Sequence, residues 1–380
     1  MKLARTLDLP ALLAKKSFFL FGPRATGKSH LIGRQLAGRA LVIDLLRSDL
    51  ALRLSANPGD LGAMISARPR AEWVVIDEIQ RVPDLLTEVH RLIESTRRRF
   101  LLTGSSARKL RRGSADLLAG RAWLAELFPL TSAELGDVSL ERYLRFGGLP
   151  MVHLSATPEE ELRAYVSVYL QEEIRAEGLI RKLPPFARFL KVAALTSGQL
   201  LNYAQVGSDA EVSASTVREY FSVLEDTLVG WTLEPWRDSR KRKAIQTAKF
   251  YLFDTGVMHQ LAGTTTLDRH SDLYGRSFEH FIGMELRARL SYARSGVSLN
   301  FWRSTHGYEV DFLAGHVAIE VKATRKTSLR DARGLLALKE EGVAKTFYLV
   351  SEDPVAARRE GIEFLPWRLF LERLWDGDIL

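Results

Sequence analysis

Ser17-Phe18-Phe19-Leu20-Phe21-Gly22-Pro23-Arg24-Ala25-Thr26-Gly27-Lys28-Ser29 is the stretch that decides the fold. An apolar strand, Ser17 to Phe21, runs into the pattern GxxxxGK[ST], and His30-Leu31-Ile32-Gly33-Arg34-Gln35-Leu36 continues as a helix. This is the strand, loop and helix of a phosphate-binding loop, whose backbone N–H groups face an anion at a helix N-terminus. Gly22, Pro23, Arg24, Ala25, Thr26, Gly27, Lys28, Ser29 and His30 form the expected nucleotide cradle. In it Lys28 adds positive charge at the β- and γ-phosphates and the Ser29 hydroxyl sits on Mg²⁺. A Gly-rich turn without a ligand needs neither the preceding strand nor the following helix.

Working outward, a second strand reads from Ala40 to Leu45, and a third, Trp73-Val74-Val75-Ile76, ends in Asp77-Glu78. Four apolar residues followed by two acids describe a buried parallel strand whose C-terminal end opens into a site. There Asp77 is expected to hold Mg²⁺ through water and Glu78 to orient or deprotonate the attacking water. A further strand, Phe100-Leu101-Leu102, ends in Thr103-Gly104-Ser105-Ser106, and places Ser105 or Thr103 near the γ-phosphate. Ala122 to Leu127 reads as a fifth strand.

The order phosphate loop, Asp-Glu strand, hydroxyl-ended strand, helix and strand resembles the AAA+ ATPases. That resemblance implies an arginine at the end of the helix before the fifth strand, reaching a neighbouring subunit's nucleotide. Arg121 occupies the position, with Arg108, Arg111 and Arg112 as rivals. A guanidinium supplied in trans stabilises charge on the transferred phosphoryl group. Residues 131–190 read as helical, with Thr157-Pro158 opening one helix and Gly147-Gly148-Leu149-Pro150 separating two others. They correspond to the small lid of such a module, where Arg145, Arg163 and Arg175 are alternative nucleotide contacts.

Composition bounds the rest. A chain of 380 residues with 46% apolar and 26% charged residues predicts two or three globular domains. No cysteine is present, which excludes disulfides, thiol catalysis and thiolate metal sites and fits a reducing, cytoplasmic location. No apolar run approaches the roughly 18 residues needed to span a bilayer, so no membrane partner is expected. The net charge of +8 favours an anionic partner, with DNA the leading candidate.

In the middle of the chain Gln199 to Ala204 and Ser213 to Leu224 read as two helices joined by a polar turn, resembling a helix-turn-helix. Val217, Phe221 and Leu224 face a core and Arg218 faces outward. Trp231 and Trp236 bracket a strand, and Arg237, Arg240, Lys241, Arg242 and Lys243 crowd the turn before another strand, Ala248 to Phe253. A basic hairpin after two such helices suggests a winged helix, with Arg218 and these five residues on DNA phosphates.

Toward the C-terminus, Glu309-Val310-Asp311-Phe312-Leu313-Ala314 and Val317-Ala318-Ile319-Glu320-Val321-Lys322 alternate on either side of Gly315-His316, a two-residue hairpin turn. Pairing Ala314 with Val317 sets Asp311 opposite Glu320 and Glu309 opposite Lys322, all on one face. The other face, Val310, Phe312, Val317, Ile319 and Val321, is then apolar and buried. Opposed carboxylates repel, and a cation between them reverses the sign. Asp followed by Glu-x-Lys on the next strand is similar to the signature of PD-(D/E)XK nucleases, with Glu279 in the preceding helix matching an additional acid. That resemblance implies Mg²⁺ on Asp311, Glu320 and Glu279, with Lys322 positioning water. Retention of the fold without cutting, or idle pairing of Glu309 with Lys322, is the alternative.

Taken end to end, GPRATGKS, VVIDEIQ, LLTGSSA, LAGR, KFYLFDTG, FWR, EVDF and AIEVKAT resemble a family of prokaryotic AAA+ ATPases carrying a C-terminal winged helix and nuclease-like domain. The implied fold class is α/β: an AAA+ P-loop parallel sheet (1–130) with a helical lid (131–190), then a winged helix (191–258) and a PD-(D/E)XK nuclease-like domain (259–380). The implied fold of the last is related to archaeal Holliday-junction resolvases. ATP with Mg²⁺ as cofactors, self-association into a hexameric ring and action on duplex or branched DNA come with the resemblance. Three functions stay open: a DNA translocase or branch migrator, an ATP-gated nuclease, and a slow nucleotide switch in a regulatory or defence complex.

Overall fold

The computed structural model describes residues 3–104, 118, 120–170, 183–238 and 241–380. Its chain divides into two compact units: 1–128 with the short segment 226–229, and 129–225 with 230–380.

The first unit is built on five parallel strands, β1 (Ser17–Phe21), β2 (Ala40–Asp44), β3 (Trp73–Asp77), β4 (Arg99–Gly104) and β5 (Ala122–Glu126). Their order is β2-β3-β4-β1-β5, so the phosphate-loop strand lies between β4 and β5. Phe19 pairs with Leu102 on one side and Leu124 on the other, while Asp44 pairs with Asp77. All five expected strands are present within a residue or two. β1 and β3 are buried throughout, as a parallel strand covered on both faces must be. Phe19, Phe21, Val74, Ile76, Phe100 and Leu102 pack in one core with Leu54, Leu61, Leu85 and Val89 from the covering helices.

The second unit holds an eight-stranded mixed sheet in the order β12-β13-β11-β10-β9-β8-β6-β7. These are β6 (Gly230–Pro235), β7 (Lys249–Leu252), β8 (Leu299–Arg303), β9 (Glu309–Ala314), β10 (Val317–Lys322), β11 (Thr346–Ser351), β12 (Ala357–Arg359) and β13 (Ile362–Pro366). The β6–β7 hairpin, read from sequence as a wing, joins this sheet because β6 pairs in parallel with β8 through Glu234–Asn300 and Pro235–Phe301. β7 is buried at every position.

The predicted pairing of Ala314 with Val317 is observed, with Leu313–Ala318 and Phe312–Ile319 following it. The expected single apolar face is not. Between β8 and β9 the register shifts, since Asn300 faces Leu313 while Trp302 faces Val310, leaving Phe301 opposite both Asp311 and Phe312. Such a bulge breaks the period of two and re-aims side chains. Val310 therefore packs with Leu313, Ala318 and the helix residues Leu335 and Leu338. Phe312 instead closes on Gly283, where an added Cβ would lie 2.8 Å from its ring.

Helices at Ser132–Leu135, Leu140–Phe146, Pro150–His153 and Pro158–Ala164 fill the segment expected to be a lid, and the helix Leu183–Leu195 follows. Asp254, in the last part of KFYLFDTG, joins them to the helix Thr255–Ala262. Its Oδ1 accepts the Val257 N–H at 3.0 Å as an N-cap, and its Oδ2 accepts the Gly148 N–H at 2.8 Å. The first of the paired middle helices begins at Tyr203 and not at Gln199, because Asn202 caps it by accepting from the Gln205 N–H. The second runs Ala214–Asp226.

Glu285, in the long helix Asp272–Ala293, accepts from the Ser132 N–H at 2.8 Å, the Ser132 hydroxyl at 2.7 Å and the Trp375 indole N–H at 2.6 Å. Burial outweighs these three donors and pushes its carboxyl up to about 7. A folded-state value above the unfolded one means that the native protein binds the extra proton, so stability falls as pH rises from about 4.5 to about 7. Glu285→Gln removes that titration. Its stability relative to the parent protein is expected to improve steadily across this window, read by urea unfolding at pH 5, 6, 7 and 8.

Candidate nucleotide site and acidic face

At the C-terminal ends of β1, β3 and β4 the first unit gathers its polar side chains. The loop Gly22–Gly27 takes two left-handed residues, Ala25 at φ 62° and Gly27 at φ 93°, before the helix Lys28–Gln35 begins. The Thr26 hydroxyl donates to the Pro23 carbonyl at 2.8 Å and is buried, which holds the loop closed from within. Lys28 is 7% exposed, and its ammonium donates to the carbonyls of Gly22 at 2.6 Å and Pro23 at 3.2 Å. An ammonium so placed, beside exposed Ser29 and His30 and half-buried Arg24, is positioned to exchange carbonyl oxygens for phosphate oxygens.

Asp77 lies at the centre. Its Oδ2 accepts from the Ser29 hydroxyl at 2.9 Å, and its Oδ1 accepts from the Thr103 hydroxyl. Thr103 also accepts the Glu78 N–H at 3.2 Å. A Ser and an Asp brought within one hydrogen bond, at a helix N-terminus, are an oxygen donor set that fits Mg²⁺ carried by a phosphate ligand. Glu78 stands at φ 61°, a sparsely populated conformation for a residue with a side chain, and its carboxylate accepts from the Gln80 amide. Of the two hydroxyl candidates on β4, Thr103 joins this network, while Ser105 lies outside the described residues.

Two participants escaped sequence reasoning. Arg5 donates to the Thr26 carbonyl at 2.7 Å and to the Phe128 carbonyl at 2.6 Å, tying the loop to the end of the sheet. Nothing local marks it, since it is one arginine near the chain start. Gln80, in VVIDEIQ, was legible only as a neighbour of the acids. Arg121 pairs with Glu94 at 2.5 Å and is partly exposed; its rivals Arg108, Arg111 and Arg112 lie outside the described residues. Arg145 pairs with Glu159 at 3.1 Å and Arg163 with Glu160 at 2.8 Å, whereas Arg175 lies outside the described residues.

The basic residues of the middle segment divide. Arg218 is exposed and lies 5.1 Å from the Tyr203 ring centre. Arg237 is exposed and pairs with Glu234 at 3.1 Å. Lys241 and Lys243 are exposed. Arg242 is drawn onto the helix Arg333–Glu341, reaching Glu340 at 2.6 Å, Glu341 at 3.2 Å and the Ala337 carbonyl at 3.0 Å. Arg240 lies outside the described residues.

On the second unit's sheet, Asp311 and Glu320 are 6% and 4% exposed. Burial first, then the Glu279 charge, pushes the Asp311 carboxyl up; burial and Asp311 do the same to Glu320. Asp311 Oδ2 accepts from the Val321 N–H at 2.8 Å. Lys322 pairs with Glu320, not with Glu309. Glu279 goes elsewhere: its Oε1 accepts from Lys249 at 3.0 Å and from the Tyr251 hydroxyl at 2.5 Å. Glu309 meets Lys249 at 2.7 Å and Arg303 at 3.3 Å. Burial alone would lower the Lys249 ammonium, yet Glu279 and its neighbours hold it well above its ordinary value, so it is charged. The expected three-acid metal set is thus divided, Glu279 to Lys249, Glu320 to Lys322 and Asp311 to a backbone N–H. Among the described residues no group of three or more His, Asp or Glu side chains is arranged to hold a metal ion.

Residues 14–136 match a family model described as an AAA domain. Residues 137–268 and 274–370 match two domains of unknown function, DUF8612 and DUF4143. An uncharacterized protein of Mycobacterium tuberculosis is 30% identical over 325 residues, covering 82% of this chain and 71% of that one, and one of Mycobacterium bovis matches equally. The chain belongs to their family. A more distant relative from Haemophilus influenzae is 24% identical over 262 residues, covering 64% of this chain and 62% of its own length. Among solved structures, the Aeropyrum pernix ORC1 protein in complex with DNA aligns with 12% identity and a TM-score of 0.30, covering 68% of this chain and 90% of that one. The match of residues 14–136 makes the first domain of this chain an AAA domain, and GxxxxGKS at Gly22–Ser29 is its P-loop. No helix among the described residues is long and apolar enough to cross a membrane.

The P-loop geometry makes one substitution diagnostic. A Cβ at Gly22 would lie 2.5 Å from the Leu127 carbonyl oxygen and 3.2 Å from the Thr26 hydroxyl. Gly22→Ala must push backbone aside, at about 1–3 kcal/mol of overpacking. It is expected to lower the melting temperature and to weaken a fluorescent ATP analogue at least tenfold, read by titration.

Proposed function

We propose that this protein is an ATP-hydrolysing AAA+ machine that remodels DNA, a translocase or branch migrator working as an oligomeric ring, hexameric as the family resemblance implies. The convergence of Lys28, Ser29, Asp77 and Thr103 at one sheet end, with Glu78 beside them, is the observation that carries the reading. Loop N–H groups and Lys28 bind the β- and γ-phosphates. Ser29 and Asp77 would hold Mg²⁺, which would supply neutralising charge for the phosphates. Thr103 keeps Asp77 aimed and fixes the backbone of Glu78, whose carboxylate orients the attacking water.

Arg121 lies at the entry to β5 and acts in trans on a neighbour's nucleotide, giving up its pairing with Glu94, so turnover requires association. Arg218, Arg237, Lys241 and Lys243 offer exposed charge for DNA phosphates, and the net charge of +8 supports an anionic partner. The acid face of the second unit takes no part in this mechanism.

Hydrolysis by the full chain, measured without DNA and with linear duplex, single strands and a four-way junction, tests the reading. Stimulation by one of these structures is expected, and Glu78→Gln should abolish turnover while ATP stays bound. Turnover indifferent to every DNA, with no measurable DNA affinity, would sink the remodelling reading.

A further inference from the structure

Four carboxylates, Glu279, Glu309, Asp311 and Glu320, share the acid face, and buried carboxylates brought together demand positive charge. That charge is already present in the chain. KFYLFDTG, marked in the sequence as a recognisable stretch without a role, supplies Lys249 on β7. Its ammonium lies between Glu279 at 3.0 Å and Glu309 at 2.7 Å, on a side chain 4% exposed. Tyr251, two residues further and so on the same strand face, donates to the Glu279 oxygen that Lys249 also holds. Lys322 covers Glu320, and Arg303 reaches the second oxygen of Glu309 at 3.3 Å.

Four carboxyl groups therefore meet three cationic side chains, and burial, which pushes the Asp311 and Glu320 carboxyls up, reduces their negative charge further. A divalent cation entering among them would leave an excess of positive charge. It would also compete with an ammonium held by two ion pairs, of which the one to Glu279 is a charge-assisted hydrogen bond. One buried acid oxygen, Glu320 Oε2, lacks a partner among the described residues, and no three of their His, Asp or Glu side chains are grouped to hold a metal ion.

We infer that Lys249 is the resident cation of this cluster, an ammonium in place of a divalent metal, and that the acids lock β7 to β9 and the long helix instead of cutting phosphodiesters. Lys249 and Tyr251 are positioning residues in that lock. The inference is independent of the ATPase reading, because it concerns the second unit and is tested without nucleotide.

The experiment is a Mn²⁺ titration of the nucleotide-free full chain, followed by electron paramagnetic resonance, with Asp311→Asn and Glu279→Gln alongside. Superimposable isotherms are expected. A Mn²⁺ site in the parent protein that disappears in Asp311→Asn overturns the inference, as does Mn²⁺-dependent DNA cleavage lost in the same variant. Lys249→Met provides a second arm: with the ammonium gone it should gain a Mn²⁺ site, and its melting temperature should rise with Mn²⁺ while that of the parent stays fixed. A folded Lys249→Met that gains no site also overturns the inference. Where that variant fails to fold, the comparison of the parent with Asp311→Asn decides alone.

Discussion

A carboxylate taken out of water must be met by a donor or a cation, and both units of this protein are arranged around that constraint. At the end of the parallel sheet Asp77 is met by Ser29 and Thr103. In the second unit Asp254 is met by backbone N–H groups, Glu285 by Ser132 and Trp375, and the acids of β9 and β10 by lysines and a backbone N–H. Most of these acids have a donor far along the chain, as Asp77 has Ser29 and Thr103, Asp254 has Gly148 and Glu285 has Ser132, and so fix the approach of distant segments. Removing a neutral hydrogen-bond partner from a buried group costs about 1–3 kcal/mol or more, because the group is left buried and alone.

The two clusters differ in how their donors can be released. Lys28 is held by carbonyl oxygens of its own loop and Asp77 by hydroxyls, neutral partners that an incoming phosphate and its metal can replace. On the acid face Glu279, Glu309 and Glu320 are held by ammonium and guanidinium groups, and Asp311 by a backbone N–H. The first arrangement is suited to binding and release, and the second to staying shut.

What was legible in the sequence follows from what is local. The phosphate loop, the five parallel strands and the Ala314–Val317 register rest on short-range pattern and turn chemistry, and each is found in place. Three things were not legible. The parallel contact of β6 with β8 joins residues more than sixty positions apart and leaves no trace in the periodicity of either strand. The shift opposite Phe301 adds one residue to β9, which no alternation rule anticipates, and so Val310 and Phe312 part to different cores. Lys249 looked like one more basic residue near a basic turn, and only the folded sheet sets it among acids. In the nucleotide site Asp77 and Glu78 were readable from an apolar strand ending in two carboxylates, whereas Arg5 was not, because its partners are backbone carbonyls without sequence identity.

The place of Lys249 on β7 bears on how the strand finds its register. Side chains alternate along a strand, so a slip of β7 by a single residue against β6 would turn Lys249 and Tyr251 to the opposite face. It would take the ammonium away from half-buried Glu279, leave Glu309 with Arg303 alone, and turn Lys249 away from its acids. Misregistered pairings, which cost little in a hairpin with a long connection, are thereby made expensive on both sides of the sheet. The ion pair thus disfavours each odd-residue slip of β7 against β6.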